Sequence, residues 1–507
     1  MVLNEIGLRN CSLEREKFWL WLVILGGAAL RFYRLDAQSL WQDEGLQYFV
    51  ASADSVGAVL DRTRWRTWHP PLAFVINHLF LLAGSSDFFL RLPSALFGIG
   101  SLPIFYLLMK RLASDHTAML AVAVMAISPF HIWYSQEGRM YAQLVFLCLL
   151  SALILVRALE ENRQWNWWVL YSLIVAVGMY THVLMAFMVL AEVLWLLLYH
   201  RRRLMPLIAS GALVALLFLP WVYSFPMVQN FIHSNSNRGP RIVAGSTSSG
   251  FSWAVLPYTF FTFSTGFSLG PSVAELHENR SLAFILEFLP LLLVIGITIG
   301  TLLIVGIWAL YKLHGAKCLV FCLLGLVVPL GGAVLFSLLP QGLFNVRYAI
   351  VAFPFFCAFV GGGLVLAFRR NKFIGSIAVL GIGSIYAAAL INHFSDPRYA
   401  KEDVKSAVTS WRSITESDVL LSVAPGGVRD AINRYLAEAE RNRHIAMGTQ
   451  NPVSKTRDFF AKNDVSFAYV LLARDWHRAS EKALRSTFTV VDEHAYPGVK
   501  LLKVRKE

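Results

Sequence analysis

Residues 18–44 read FWLWLVILGGAALRFYRLDAQSLWQDE. The stretch opens as an apolar run of about the length that crosses a bilayer, roughly 20 residues. It ends in an aromatic, polar segment carrying two adjacent acids, Asp43 and Glu44. A membrane helix that delivers carboxylates to the interface is the reading, and the remaining composition agrees. Of 507 residues, 56% are hydrophobic and 15% charged, against about 25% charged in a soluble domain. Mean hydropathy is +0.54. These values exclude a soluble globular enzyme, a disordered chain and a fibrous protein. The net charge of +13 then marks cytoplasmic loops and lipid phosphates rather than nucleic acid.

Further apolar runs lie at 90–110, 117–133, 141–159, 165–182, 183–200, 205–224, 283–311, 318–338, 348–368 and 373–392. With the first run at 18–34 they predict a polytopic α-helical membrane protein of about eleven spans. The segment 69–83, HPPLAFVINHLFLLA, is short and carries Asn77 and His78. Treated as juxtamembrane, it leaves five basic clusters on the side of the N-terminus: Lys110-Arg111, Arg157 with Arg163, Arg201 to Arg203, Lys312 with Lys317, and Arg369-Arg370-Lys372. The N-terminus itself carries Arg9, Arg15 and Lys17. The positive-inside rule therefore predicts a cytoplasmic N-terminus. Loops 35–89, 134–140, 225–282 and 339–347, and the tail, then face outward. The first run lacks a small-residue cleavage site and reads as a signal anchor. Cys11, Cys148, Cys318, Cys322 and Cys357 lie in or beside apolar stretches, so neither a disulfide framework nor a metal cluster is expected.

The first loop is predicted to hold short interfacial helices at 43–52 and 55–63. From about 393 the composition becomes that of a soluble domain. Strand-like runs at Val419–Val423, Phe467–Leu472, Phe488–Val491 and Val499–Val504 alternate with helical stretches at 403–412, 427–441, 455–463 and 479–486. The chain thus divides into a transmembrane domain, 1–392, and an extracytoplasmic α/β domain, 393–507. Ala424-Pro425-Gly426-Gly427 lacks GxGxxG or Walker spacing and reads as a plain βα turn.

Several groups could carry chemistry. A partly desolvated Asp43 or Glu44 can accept a proton from an attacking hydroxyl, although loop acids are usually just solvated. His69, before Pro70-Pro71, sits near headgroup level; the bland reading is a rigid turn. The loop Tyr134-Ser-Gln-Glu-Gly-Arg-Met-Tyr141 holds Glu137, Arg139 and Tyr141, and a later loop holds Arg347 and Tyr348. Arginines here suit a lipid phosphate, although a single juxtamembrane arginine commonly just snorkels. Tyr180-Thr181-His182 reads as a helix end, Glu192 as a neutral structural acid, and Lys401-Glu402-Asp403-Val404 as a helix start.

Taken in order, RFYRLDAQSLWQDEGL, WHPPLAF, DFFLRLPSALFG, YSQEGRMYAQL, YTH, NVRYAIVAFP and YAKEDVKSAV resemble the bacterial dolichyl-phosphate-mannose-protein mannosyltransferase superfamily. These are GT-C-fold glycosyltransferases that include the lipid A aminoarabinose transferases. The resemblance runs from residue 31 to about 408. It implies a cell (inner) membrane enzyme that moves a sugar, with inversion, from a polyprenyl-phosphate donor to a lipid, glycan or protein acceptor on the extracytoplasmic side. Asp43 matches the first-loop acid taken as general base, and Glu44 accompanies it at the acceptor site. His69 stands where some relatives have a Lys near the donor phosphate. Glu137, Arg139 and Tyr141 match the second-loop motif, whose acid is Asp in several relatives; Arg347 and Tyr348 match the late Arg-Tyr. No cofactor is obligatory, since cationic side chains can stabilise a phosphate leaving group; a divalent metal could assist but no ligand pattern indicates one. The rival reading is a transporter or flippase for a lipid-linked sugar. Transporters place ionisable residues at mid-bilayer, often within repeats, whereas nearly all the acids here lie in outer loops and no repeat is visible.

Overall fold

A computed structural model describes residues 2–67, 69–160, 165–224, 254–279, 281–338, 344–414 and 418–506, with side chains from Glu14 onward. Arg9, Cys11, Arg163, the 225–253 part of the long loop and residues 339–343 lie outside the described side chains or residues. Eleven helices lead the chain: α1 Val2–Phe32, α2 Gln42–Ala51, α3 Val56–Arg66, α4 Leu72–Leu81, α5 Asp87–Leu112, α6 Asp115–Ala126, α7 Pro129–Ser135, α8 Tyr141–Glu160, α9 Trp165–Thr181, α10 Met185–Tyr199 and α11 Leu204–Ser224. After these come helices at Val255–Thr265, Leu289–Leu338, Phe353–Arg370 and Lys372–Ser395.

Every predicted apolar run falls on a helix, yet only six described helices are long and apolar enough to cross a membrane, or seven if a bent pair counts as one span. The shortfall from eleven has physical causes. Runs 283–311 and 318–338 merge into one 50-residue helix, broken at Gly315 by a φ of 82°. The 117–133 run splits into α6 and α7, bent by 61°. At 15 residues α10 reaches only about 22 Å at 1.5 Å per residue, less than the roughly 30 Å core. The ten-residue α4 is shorter still. Its polar residues face protein: Gln47 donates to Asn77 Oδ1 (2.9 Å), Asn77 donates to the Leu90 carbonyl (2.6 Å) and His78 Nδ1 lies 2.9 Å from the Ala51 carbonyl oxygen. The segment therefore buttresses α2.

Several basic helix ends meet on one face. Lys110 pairs with Glu16 (3.8 Å) and Asp115 (2.5 Å), Arg111 pairs with Glu160, and Trp195 Nε1 donates to the Lys317 carbonyl (3.0 Å). The loops bearing the candidate site gather at the opposite end. Within the helices, Glu192 is fully buried beside Ser151 (2.8 Å) and Tyr171 (2.8 Å). Because the Ser151 hydroxyl donates to the Cys148 carbonyl (2.9 Å), its oxygen is free to accept from a protonated Glu192, while Tyr171 donates to the other carboxyl oxygen. A neutral acid satisfies each of these bonds.

The C-terminal part is a five-stranded mixed sheet. Its strands are β1 Leu420–Val423, β2 His444–Ala446, β3 Phe467–Ala473, β4 Thr489–Tyr496 and β5 Val499–Arg505, in the order β2-β1-β3-β5-β4. β1 runs parallel to β2 and β3; β5 runs antiparallel to β3 and β4. Alternation along the strands sends Leu420, Leu471 and Leu501 into one core and Leu421, Val470 and Leu502 into another. With both faces covered, the central strands read as continuous apolar runs. β2, three residues long and partly exposed, offers no such run and is absent from the sequence expectation.

The sheet is docked on the first loop through the Gly426–Tyr435 helix, which crosses α2 where two glycines meet. A Cβ on Gly45 would lie 2.2 Å from the Gly427 carbonyl oxygen, and one on Gly427 would lie 2.3 Å from that of Gln42. Side chains fasten the crossing: Arg66 donates to Asp430 (2.8 Å), and the Tyr435 hydroxyl accepts from the Leu40 N–H and donates to Asp87, both at 2.8 Å.

Candidate active site

α2 begins at Gln42 after an extended Trp41, which places Asp43 and Glu44 in its first turn, where the helix N-terminus favours negative charge. Successive helical residues point about 100° apart, so the two acids face different surroundings.

Glu44 points inward and is 0% exposed. Arg91, on α5, grips it with Nε at 2.7 Å and Nη2 at 2.8 Å, and spends its remaining donors on the Leu35, Gln38 and Ser39 carbonyls. Lys401 reaches Glu44 from the start of the C-terminal part at 3.3 Å, and the Gly138 N–H donates to it at 2.7 Å. Burial alone would raise the Glu44 pKa; Arg91, Lys401 and Gly138 together overcome burial and hold it down at about 2. Glu44 thus ties the first loop, the second loop and the tail to one point.

Asp43 points outward and forms an ion pair with Arg347; its side chain retains 17% exposure. Arg139 donates to the Asp43 carbonyl (3.4 Å) and to Gln47 Oε1 (2.9 Å). Burial pushes the Asp43 pKa up, but Arg347 and Arg139 outweigh it and hold the carboxyl below its usual range. The Arg347 guanidinium lies within cation–π reach of the Tyr141 ring (5.8 Å) and of the Tyr348 ring (5.6 Å). Beyond Tyr141 lies His182 (5.9 Å), and beyond that His69 (5.1 Å). Burial, then the neighbouring arginines and His182, keep the His69 imidazole well below its ordinary pKa and neutral.

Glu137 is 1% exposed. Neither carboxylate oxygen has a hydrogen-bond partner, and burial is the main reason its pKa rises to about 7. Arg139 Nε, Tyr141 Oη, His182 Nε2 and Arg347 Nε are also buried without partners. Buried polar atoms are nearly always paired, so a group of them gathered about Arg139 and Arg347, beside Asp43, marks a place built for a polar ligand.

All eight residues singled out from the sequence, Asp43, Glu44, His69, Glu137, Arg139, Tyr141, Arg347 and Tyr348, lie at this end of the helices. Sequence reasoning assigned no role to Arg91 or Gln47, took Lys401 for part of a helix start and took His182 for a helix end. Lys401-Glu402-Asp403 does precede a helix, with Asp403 accepting from the Ser406 N–H at 3.0 Å. Lys401 and Glu402, however, are spent on Glu44 and Arg474.

Residues 68–223 match the family described as Dolichyl-phosphate-mannose-protein mannosyltransferase. Two Bacillus subtilis (strain 168) proteins are similar: "Putative mannosyltransferase YkcB", 26% identical over 251 residues, and YycA, which carries the same description, 27% identical over 216 residues. These alignments cover 45% and 39% of the chain but only 32% and 31% of those relatives. Among solved structures, ArnT from Cupriavidus metallidurans superposes with a TM-score of 0.59 at 14% identity, covering 96% of this chain and 98% of that one; it has been crystallised in the apo state and bound to undecaprenyl phosphate. The oligosaccharyltransferase AglB from Archaeoglobus fulgidus, in complex with an inhibitory peptide and a dolichol-phosphate, superposes with a TM-score of 0.58 at 12% identity, over 94% of this chain and 71% of that one. The chain therefore has the GT-C fold of the membrane glycosyltransferases, in the neighbourhood of ArnT.

Proposed function

We propose that the protein is an integral-membrane inverting glycosyltransferase that moves a sugar from a polyprenyl-phosphate donor to an acceptor hydroxyl on the extracytoplasmic side. The cluster of unpartnered buried polar atoms around the Asp43–Arg347 pair carries this reading. In the proposed reaction an acceptor oxygen bonds to the anomeric carbon from the face opposite the phosphate. The bond from that carbon to the phosphate oxygen breaks, and its electron pair leaves with polyprenyl phosphate. The acceptor proton passes to the Asp43 carboxylate. Arg347 and Arg139, both cations, stabilise the phosphate charge as it develops. When Arg347 turns toward the donor phosphate, Asp43 loses the cation that holds its pKa down. Burial is then opposed chiefly by Arg139, and the carboxylate becomes a stronger base than in the resting pair. Glu44, saturated by Arg91 and Lys401, is assigned a positioning role. His69 and Tyr141 line the phosphate side. Residues 393–507 act as an extracytoplasmic domain that braces the first loop.

The test is to reconstitute the full chain in liposomes with a panel of polyprenyl-phosphate sugars and candidate acceptors, and to follow release of polyprenyl phosphate by mass spectrometry. Acceptor-dependent release, lost in Asp43→Asn, is expected. Translocation of an intact lipid-linked sugar with no release from any donor would instead identify a flippase.

A further inference from the structure

A polar cavity adjoins the Glu44–Arg91–Lys401 bridge: Arg91 and Lys401 line it, and Asp43 does not. It measures about 60 Å³, and its lining includes Arg34, Ala37, Arg91, Trp133, His393 and Lys401. Room for one water takes roughly 10–15 Å³ on this measure, so the space suits a group of several heavy atoms. Three of its walls are cations and none is an acid; Glu44, behind the wall, offsets only one of the three charges. Arg91 has no donor to spare. Lys401 has one long bond, to Glu44 at 3.3 Å, and its ammonium lies over the Trp133 ring at 5.4 Å and the Trp41 ring at 5.8 Å. Arg34 is held by its Nη1 bond to the Phe394 carbonyl (2.7 Å) and adopts a left-handed backbone, φ 55°, which a non-glycine residue adopts rarely.

The remaining polar wall is specific about hydrogen-bond polarity. Gln136 Nε2 donates to the carbonyls of Leu30, Arg31 and Tyr33, which leaves Gln136 Oε1 to face His393 Nε2 at 3.0 Å. His393 Nε2 therefore carries the hydrogen, and Nδ1 is a bare lone pair. His393 is 7% exposed, and Nδ1 has no partner. The cavity is thus lined by two cations that have donors to spare and by a histidine whose buried acceptor has no partner.

We infer that this cavity binds a phosphate ester that also carries a hydroxyl: Arg34 and Lys401 hold the phosphate, and His393 Nδ1 accepts from the hydroxyl. The source is a lipid headgroup. The cavity is walled by the chain leaving α1 and by the last turn of the Lys372–Ser395 helix, where Phe32 (39% exposed) and Tyr33 (55% exposed) face outward. Tyr33 packs edge-on against Phe394 at 5.0 Å. Aromatic residues at helix ends mark headgroup depth. Through Lys401 the bound lipid touches the same bridge that fixes Glu44, without sharing the Asp43 site.

The experiment titrates delipidated full-length protein with phosphatidylglycerol and reads retention by native mass spectrometry. Phosphatidylglycerol should bind saturably, and digalactosyldiacylglycerol, which lacks phosphate, should not. Arg34→Asn, chosen because asparagine tolerates the left-handed backbone, and Ala37→Glu, which adds an anion at an exposed wall position, should each raise the apparent Kd at least about tenfold. sn-Glycerol 3-phosphate that binds as tightly as the lipid, with the same sensitivity to both substitutions, would support the chemistry and identify a soluble source. Retention unchanged in both folded variants, or equal retention of the phosphate-free glycolipid, would overturn the inference. Because the readout is binding, it stands apart from any failure of sugar transfer.

Discussion

Replacing Arg91 with Met keeps a long apolar side chain but withdraws two donors from Glu44 and three from the Leu35, Gln38 and Ser39 carbonyls. Two routes give the size of the effect. Removing one partner of a buried ion pair costs about 3–5 kcal/mol. Independently, the Glu44 carboxyl is held from its ordinary 4.5 down to about 2, which at about 1.4 kcal/mol per unit is roughly 3 kcal/mol of stabilisation of the charged form. Lys401 and Gly138 remain, so the lower figure applies. The stabilisation comes from a depressed carboxylate pKa. It is therefore fully present above about pH 4.5 and lost as pH falls toward 2. Amide hydrogen exchange in α2 and the 136–139 loop, measured between pH 6 and 8, should accelerate about 10²-fold in Arg91→Met through local opening. Adding Glu44→Gln removes the orphaned charge and should restore at least about tenfold of that protection. Exchange within about threefold of wild type in the single variant, or no recovery in the double, would refute the bridge as the fastening of the first loop.

Other expectations concern the chemistry directly. Asp43→Asn should lower single-turnover transfer by at least about 10²-fold while donor affinity holds or improves, because Arg347 is released; near-native transfer would remove Asp43 from the reaction and make Glu137 the next base. Arg347→Ala and Arg139→Ala should each weaken donor binding by about 1.5–3 kcal/mol, with Lys restoring only part; unchanged affinity in a binding titration would return both to simple snorkelling. Glu137, raised to about 7, costs stability as pH climbs from about 4.5 through 7, so Glu137→Gln should stabilise the protein at pH 8 and not at pH 4.5, by at most about 3 kcal/mol. Glu192→Gln should change stability by less than about 1 kcal/mol, since an amide can donate to Ser151 and accept from Tyr171, whereas Glu192→Leu should cost more in a denaturation series.

What the sequence made legible follows from locality. Apolar runs mark helices because hydrophobic length is a local property, and the strands of the tail announce themselves where both faces are buried. Asp43, Arg139 and Arg347 stood out as charges at helix ends. Arg91 drew no role because its five acceptors come from four residues of another loop. Lys401 reaches Glu44 across more than 350 positions, a distance at which no periodicity survives. The adjacency of Asp43 and Glu44 suggested a working pair; helical rotation separates them into an outward acid and an inward anchor. β2 was too short to show alternation, and kinks such as those at Gly315 and between α6 and α7 are not written in composition.

The crossing of Gly45 over Gly427 also sets an order of events during synthesis. The surface against which α2 settles is translated some 380 residues after α2 itself. At about 5–20 residues per second, the ribosome takes roughly 20–75 seconds to provide it. Throughout that interval the membrane helices are already being inserted, while the helix carrying Asp43 and Glu44 has neither its glycine partner nor Lys401. A nascent chain therefore holds its first loop by Arg91 and Gly138, without the brace that the tail adds.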